Sequence, residues 1–232
     1  MIDRSLNYGR HLVRRFLAEA GDYHDVLDVG AGLGYDLRIA RELRPDAALQ
    51  AVEVEPDAVA RLREQGIRVH ALDVERQPLP LVDESIDVVL SNQTLEHVKE
   101  LFWILHEISR VLRPGGTLII GVPNIAALHN RLLLLLGRQP TQLRNASAHV
   151  RGYTRGDLQH LFTAVFPGGY RLVRWGGSNF YPFPPVLARP LAAAFPGMAW
   201  GIFLMLRKER PYGRQFLDYP AAEKLQTNFF LG

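Results

Sequence analysis

An α/β fold built around a parallel sheet is the fold class that the sequence predicts. Short apolar runs of Val, Leu and Ile, typical of buried strands, alternate along the chain with segments that have helical periodicity. A glycine-rich turn joins the first strand to a helix within Val26-Leu-Asp-Val-Gly-Ala-Gly-Leu-Gly-Tyr-Asp-Leu37. The 232 residues, 47% hydrophobic and 22% charged, are typical of a globular protein. We therefore predict a single domain, 1–232, with a substantial core.

The first half of the chain predicts a regular succession of helices and strands. Proline and glycine mark the helix boundaries. Pro45 follows one helix, Pro56 begins the next, and Arg113-Pro-Gly-Gly116 ends a third. The predicted helices are 5–20, 35–43, a segment beginning at Pro56, and 98–112. The predicted strands are 26–29, 49–53, 67–72, 86–90 and 117–122.

The second half of the chain contains two predicted insertions between core elements. The first, 123–153, includes a short leucine-rich helix, and the second, 176–200, is rich in Gly, Pro and aromatic residues. Insertions of this length are commonly lids or binding loops. Between and after them we predict a helix from Thr154, a strand at 170–175 and a last strand at 202–206. The tail from Glu209 has only weak patterning.

The glycine-rich turn has the spacing Asp28-x-Gly30-x-Gly32-x-Gly34. Glycine is required where the backbone turns sharply and approaches a ligand closely. The dinucleotide-binding fingerprint is Gly-x-Gly-x-x-Gly and holds a diphosphate at a helix N-terminus. Here a carboxylate precedes the turn, and a carboxylate suits a neighbouring ammonium group better than a diphosphate. A nicotinamide oxidoreductase is therefore the least favoured of the functions considered.

These residues resemble motif I of the class I S-adenosylmethionine (SAM)-dependent methyltransferases. The resemblance extends over about 22–122, because Glu53, Asp73, the run Pro78-Leu-Pro-Leu-Val-Asp-Glu-Ser-Ile-Asp87 and the run Ser91–His97 recur in the family's order. It implies a Rossmann-like seven-stranded sheet with helices on both faces, an antiparallel last strand, and lid insertions after strands five and six. It also implies SAM as cofactor and S-adenosylhomocysteine (SAH) as product.

The resemblance further implies how the cofactor would be held. Asp28 would meet the ammonium group of the methionine moiety, and Glu53 would accept hydrogen bonds from both ribose hydroxyls, with Glu55 as the competing candidate. Asp73 would accept from the adenine amino group, beside the backbone amide of Val74. The expected cofactor-binding residues are Asp28, Gly30, Ala31, Gly32, Gly34, Glu53, Val54, Asp73, Val74 and Asn92.

The segment after the fourth strand indicates the acceptor chemistry. It lacks the Asn/Asp-Pro-Pro-Tyr motif of amino-directed nucleic-acid methyltransferases, whereas Leu95-Glu-His-Val98 is similar to the small-molecule branch that includes ubiquinone-biosynthesis O-methyltransferases. A hydroxyl acceptor needs a general base, for which His97 and His149 are the candidates. The alternatives are a helix-start histidine paired with Glu96 or the backbone, and a lid histidine bonded within its own loop. The eight histidines have irregular spacing, so no metal site is predicted.

Charge is divided unevenly along the chain. Residues 1–107 carry 20 acidic and 12 basic side chains, whereas 108–208 carry 12 basic side chains and one acidic residue, Asp157. Arginine binds phosphate and carboxylate groups well, so the basic and apolar insertions predict an anionic lipid, glycan or small-molecule acceptor. The alternative is a solvated rim of arginines around an ordinary lid core. The expected substrate-binding residues are Tyr8, Asn124, Arg131, Arg151 and Tyr153.

Composition bears on the cellular location of the protein and on the alternative functions. The chain has no cysteine, its first 20 residues contain no continuous apolar core, and Arg189, Pro190 and Pro196 interrupt the apolar region 186–206. These features predict a cytoplasmic protein, with peripheral contact at the inner membrane face as a further expectation. The leading function is O-methylation by SAM. An RNA methyltransferase, suggested by the pI of 9.3, and a non-catalytic SAM-binding protein remain as alternatives, and nucleic acid is not the expected partner.

Overall fold

A seven-stranded sheet organises the computed structural model, which describes residues 3–225. Its strands are β1 Asp25–Val29, β2 Ala48–Glu53, β3 Arg68–Ala71, β4 Ile86–Asn92, β5 Leu112–Pro123, β6 Tyr170–Ser178 and β7 Gly201–Lys208. The spatial order is β3-β2-β1-β4-β5-β7-β6. Strands β1 to β5 pair in parallel, and β7 runs antiparallel to both β5 and β6. This arrangement confirms the predicted sheet and its antiparallel last strand.

Eight α-helices accompany the sheet in the described part of the chain. They are α1 Arg10–Glu19, α2 Tyr35–Leu43, α3 Pro56–Glu64, α4 Leu101–Val111, α5 Leu128–Leu135, α6 Arg155–Val165, α7 Pro185–Ala194 and α8 Gln215–Ala222. Helices α1, α2 and α3 share one buried cluster with one face of the sheet, whereas α4, α6 and α8 share another with the opposite face. The alternation of side chains along a strand explains the division, since Val26 and Leu27 enter different clusters. Helices therefore cover both faces, as predicted.

Three predicted boundaries differ from the structure. The helix expected at 5–20 is divided at Gly9, which has φ of +51° and packs so closely on the Phe203 ring that a Cβ would lie 2.3 Å from it. A 3₁₀-helix, Arg4–Tyr8, precedes this glycine and α1 follows it. Helix α4 begins at Leu101 rather than at residue 98, which leaves 93–100 as an irregular segment. Strand β5 begins at Leu112, before the glycines that were expected to precede it.

The second insertion and the tail contain more regular structure than the sequence predicted. Strand β6 continues to Ser178 because Gly177 allows close packing, and a Cβ there would lie 2.5 Å from the Ala199 Cβ. Helix α7 then packs in a small separate cluster with Leu6 and Phe180. In the tail, α8 buries Phe216 against α6, where its ring lies edge-on to Phe162 with centroids 5.9 Å apart. One buried aromatic residue thus anchors a segment whose overall pattern is weak.

No helix within residues 3–225 combines the length and apolar character needed to cross a bilayer.

Candidate active site

The predicted site residues follow strands that end at one edge of the sheet. Strands β1, β2, β4 and β5 run in parallel, so their carboxyl ends meet there, and ligands of open α/β sheets bind at this edge. The glycine loop follows β1, Glu53 ends β2, and the 93–100 segment follows β4. The topology thus brings the predicted cofactor residues to the same edge as the segment that carries His97.

The glycine loop has the backbone conformation that only glycine adopts easily. Gly30, Gly32 and Gly34 have φ of +78°, +52° and +73°. A Cβ at Gly30 would lie 2.4 Å from the Thr94 hydroxyl, which itself donates to the Val29 carbonyl at 3.1 Å. At Gly32, by contrast, no atom of the described residues, its two chain neighbours aside, lies within 4 Å of where a Cβ would be. The loop is therefore packed against the protein at Gly30 and open at Gly32, as a ligand cradle must be.

Glu53 fixes the shape of this loop. One carboxylate oxygen accepts from the Gly32 amide at 2.7 Å, and the other accepts from the amides of Val54 at 2.8 Å and Glu55 at 3.0 Å. A carboxylate has about four acceptor positions, so one remains on the oxygen that faces Gly32. Glu55, the competing ribose candidate, is exposed at the start of α3. Of the two acids, Glu53 is the one in contact with the loop.

Two buried carboxyl groups lie beneath the loop. Asp28 is 3% exposed, and burial raises its pKa well above the usual range, with further upward contributions from the charges of Asp36 and Glu53. Asp36 is also buried, and its pKa is raised by burial, although the hydrogen bond from Asn92 and the charge of Arg10 oppose the shift. Two carboxyl groups are therefore held together at the base of the cradle, where a cationic ligand would favour their ionised forms.

Asn92 links Asp36, one of these two acids, to the N-terminal segment by hydrogen bonds. Its Nδ2 donates to Asp36 Oδ2 at 2.7 Å and to the Tyr8 carbonyl at 2.9 Å. Asp36 Oδ1 and Asn92 Oδ1 are buried without a hydrogen-bond partner among the described residues. Such acceptors fit a donor such as the ammonium group of an amino-acid moiety. Asp36 was not among the predicted site residues, although it lies in the same motif, two residues after Gly34.

The predicted adenine-binding residues lie farther along the edge. Asp73 Oδ1 accepts from the Glu75 amide at 3.0 Å, and Oδ2 forms an ion pair with Arg76 at 3.3 Å. The Asp73 side chain is 43% exposed, so it remains accessible. Val74 is half-buried and packs against the core. Both residues stay predicted contacts of an adenine ring.

His97 and His149 meet at the same edge of the sheet, on the side formed by the 93–100 segment and the first insertion. We name this the acceptor side, after its predicted role. Their rings are nearly perpendicular, at 79°, with centroids 4.7 Å apart. The neighbouring Glu96 is 1% exposed, and burial raises the pKa of its carboxyl group to about 8. Burial, and to a smaller extent the charge of His97, lower the pKa of His149. The sequence predicted each histidine separately, with Glu96 as an alternative partner of His97, but it did not predict the contact between the two rings or the burial of Glu96.

The predicted substrate-binding residues mostly hold the insertion in place. Arg151 donates to the Val98 carbonyl at 3.3 Å and the Lys99 carbonyl at 2.6 Å, and the buried Tyr153 hydroxyl donates to the Leu95 carbonyl at 3.1 Å. Asn124 is buried and joins the end of β5 to the carbonyls of Gly197 and Ala199, both at 3.0 Å. These three side chains position the acceptor side.

The other two predicted substrate contacts are exposed. Tyr8 has 46% of its surface accessible, and Arg10 lies over its ring at 4.9 Å from the centroid. Arg131, at the surface of α5, donates through Nε to the Ala126 carbonyl at 2.7 Å. Both therefore present atoms that an acceptor can reach.

Comparison with known sequences identifies the first half of the chain. Residues 27–120 match the model of a methyltransferase domain family. A probable SAM-dependent methyltransferase from Mycobacterium tuberculosis is 36% identical over 120 residues, which cover 50% of this chain and 42% of that protein. An arsenite methyltransferase from Halobacterium salinarum is 36% identical over 101 residues, covering 41% and 26% respectively. The chain thus spans less than half the length of these curated relatives.

Solved structures share the fold across most of the chain. A methyltransferase in complex with the Trm112 methyltransferase activator of Haloferax volcanii aligns with a TM-score of 0.64 at 18% identity, covering 88% of this chain and 92% of that one. The plantazolicin methyltransferase BpumL, in complex with SAH, aligns with a TM-score of 0.61 at 16% identity, covering 89% and 86%. With the matched domain, the strand order and the glycine loop, these similarities show that residues 27–120 are related to SAM-dependent methyltransferases and that the chain shares their fold.

Proposed function

We propose that this protein transfers the methyl group of SAM to an oxygen atom of an anionic small-molecule, lipid or glycan acceptor. The observation that carries the proposal is the cradle at Gly32, open above and acidic below, with Glu53 bound to its amide. An amino-acid ammonium group would lie near Asp28 and Asp36, and the nucleoside would extend toward Glu53 and Asp73. The His97–His149 pair lies across the same edge, where the acceptor would meet the methyl group.

Methyl transfer needs the acceptor oxygen, the methyl carbon and the sulfur in line. Positioning of this kind contributes roughly 7–11 kcal/mol to catalysis. In this reaction the acceptor oxygen forms a bond to the methyl carbon while the carbon–sulfur bond breaks, leaving neutral SAH, and the hydroxyl proton leaves toward a base. The contacts of Arg151 and Tyr153 with the 93–100 segment fix the wall against which an acceptor would lie.

The proposed acceptor chemistry rests on this chain rather than on its relatives. Those relatives include a dimethylglycine N-methyltransferase from Parasynechococcus marenigrum, 37% identical over 108 residues that cover 44% of this chain and 38% of that protein. Their acceptors therefore differ widely. In this protein, α5 and its flanks carry exposed leucines beside Arg131 and Arg138 (Leu132 53%, Leu134 57%, Leu135 82% and Leu136 73% exposed).

An apolar helix face flanked by arginines suits the surface of an anionic membrane. We further propose that the protein works in the cytoplasm and contacts the inner membrane face through α5. At that membrane surface it would reach a lipid-linked acceptor. Leu135→Glu/Leu136→Glu should reduce sedimentation with phosphatidylglycerol-containing vesicles at least tenfold and leave SAH affinity unchanged. The matched control is Val82→Glu/Val186→Glu, which changes two exposed valines elsewhere. Equal sedimentation of both double variants would contradict the membrane contact.

Calorimetry tests the core of the proposal. SAM and SAH should each bind in a one-to-one ratio, whereas NAD should release no heat. Transfer of a labelled methyl group to lipid, glycan or small-molecule extracts then identifies the acceptor class. Binding of SAH with label appearing only in RNA would replace the proposed acceptor, and SAH binding with no transfer to any fraction would favour a non-catalytic role.

A further inference from the structure

The structure assigns a binding site for a divalent transition metal to Glu96, His97 and His149. The linear spacing of the histidines predicted no metal, and the site arises only because the first insertion folds back onto the 93–100 segment. One donor atom from each of the three residues can be chosen so that all lie within 4.8 Å of one another. Metal binding is a separate property from the proposed methyl transfer and does not depend on it.

The donors need only a small movement to reach bonding geometry. Zinc–nitrogen bonds of about 2.0–2.1 Å in a tetrahedral site place donor atoms roughly 3.3 Å apart. The present separations, up to 4.8 Å, therefore close by about 1.5 Å at most. His149 follows an irregular stretch after the 3₁₀-helix Thr141–Leu143, and side-chain rotation with a small shift of this stretch is sufficient.

Unpaired buried atoms point to a missing ligand at this position. Both carboxylate oxygens of Glu96 and the Nδ1 of His149 are buried and lack a hydrogen-bond partner among residues 3–225. Glu96 is 1% exposed, so water does not readily satisfy these oxygens. A buried polar group without a partner is unusual and destabilising, whereas a metal ion would bind two of these atoms directly.

The backbone fixes the register that brings the histidines together. The amides of Val150 and Arg151 donate to the Glu96 carbonyl at 2.8 and 3.3 Å. The Arg151 side chain then holds the carbonyls of Val98 and Lys99. These contacts hold the chain directly before and directly after His97. The placement of His149 against His97 therefore does not depend on a single flexible side chain.

The donor set selects the class of metal. Two imidazoles and one carboxylate suit zinc, iron(II), cobalt(II) and similar ions, whereas magnesium and calcium prefer oxygen ligands alone. Three protein ligands leave at least one coordination position open. His97 is exposed, which gives the ion a path from solvent and leaves the open position accessible to an acceptor oxygen.

Metal titration of the purified chain tests the site. After dialysis against a chelator, the protein should bind one equivalent of zinc, measured by calorimetry and metal analysis. One equivalent of cobalt(II) should give the visible absorption bands of a cobalt(II) ion that is bound by nitrogen and oxygen ligands. His97→Ala, His149→Ala and Glu96→Gln should each weaken zinc affinity at least tenfold. His160→Ala, which removes an exposed histidine on α6, is the matched control and should bind like the wild type.

SAH affinity, measured on the same samples, separates this inference from the proposed function. It should remain within threefold of the wild-type value in all four variants, which also shows that each variant is folded. Failure of the wild type to bind zinc or cobalt at micromolar concentration would overturn the metal site. Equal affinity in His149→Ala and the wild type, or an equal loss in His160→Ala, would also overturn it. None of these outcomes depends on whether SAH binds.

Discussion

The proposed cofactor side of the sheet edge, at the glycine loop, and the proposed acceptor side, at the 93–100 segment and the first insertion, both hold buried acids, but the surrounding chain supports these acids differently. On the cofactor side, Glu53 binds three backbone amides and Thr94 supports Gly30, so short contacts within a tight loop set the shape. On the acceptor side, the long side chains of Arg151 and Tyr153 hold a distant segment. The cofactor side is therefore the more rigidly constructed.

The inner acids differ as well. Asp28 and Asp36 are buried close enough for the charge of Asp36 to raise the pKa of Asp28, and Asn92 donates to Asp36, so one positive group would favour the ionised form of both acids. Glu96 instead has both oxygens free of partners within the described part of the chain and faces two histidines. A preformed loop over paired acids suits a ligand common to a whole family. Glu96 is a single acid, and the residue that approaches it, His149, belongs to an insertion distant in sequence. Such an arrangement suits chemistry particular to one acceptor.

The largest effect is expected where the loop is packed most tightly. Gly30→Ala places a Cβ 2.4 Å from the Thr94 hydroxyl at a φ of +78°, so both steric overlap and backbone strain oppose folding. We expect a loss of about 3 kcal/mol in the free energy of unfolding, measured by urea denaturation, together with loss of SAH binding.

Gly32→Ala is the matched comparison in the same loop. Within residues 3–225 its Cβ would meet no atom inside 4 Å beyond its chain neighbours, so only the backbone penalty at φ of +52° applies, and stability should fall by about 1 kcal/mol. SAH affinity should nevertheless fall at least tenfold, because the added methyl group occupies the open cradle. Unchanged SAH affinity in Gly32→Ala would show that the ligand lies elsewhere.

A smaller effect, with opposite signs for binding and stability, is expected at Asp28. Because the folded pKa is raised, the folded state holds its proton more tightly than the unfolded chain, so stability falls as pH rises through the raised pKa and stays lower above it. Asp28→Asn removes this penalty and should stabilise the ligand-free protein at neutral pH by about 1 kcal/mol. It should weaken SAM binding 10–100-fold, because the ammonium group loses its charge partner.

The pH dependence of SAM affinity checks the same group. Affinity in the wild type should decline as pH falls through the raised pKa of Asp28, because the carboxyl group must release its proton to bind the ammonium group. Asp28→Asn should show a flatter profile, and the exposed Asp46→Asn should behave like the wild type in both measurements. Identical profiles for Asp28→Asn and the wild type would remove Asp28 from the site.

The same contrast explains what the sequence could predict. Motif, turn and helix lie within a few residues of one another on the cofactor side, so Asp28, the three glycines and the exact span of α2 could be derived from local pattern. Glu53 was also predicted, but its bond to the Gly32 amide depends on the pairing of β1 with β2. Local pattern together with the family resemblance thus predicted the residues of this side better than their contacts.

On the acceptor side, the decisive contacts join residues far apart in sequence. Nothing local indicates that His149 meets His97, or that Arg151 binds the carbonyls of Val98 and Lys99. The exposed leucines of α5 could be recognised as an apolar run, but their exposure depends on which face of that helix packs inward. Burial, which gives Glu96 its significance, is likewise a property of the assembled fold.

The smallest effect tests whether the acceptor side depends on its side-chain supports. Tyr153→Phe keeps the buried ring and removes only the hydrogen bond to the Leu95 carbonyl, so the free energy of unfolding should fall by about 1 kcal/mol. SAH affinity should not change, whereas hydrogen exchange in 149–153 should accelerate because that segment is held less firmly. Tyr219→Phe, which keeps its ring stacked on Phe102, is the control and should alter neither quantity. A loss of SAH affinity in Tyr153→Phe would show instead that the two sides of the edge act as one unit.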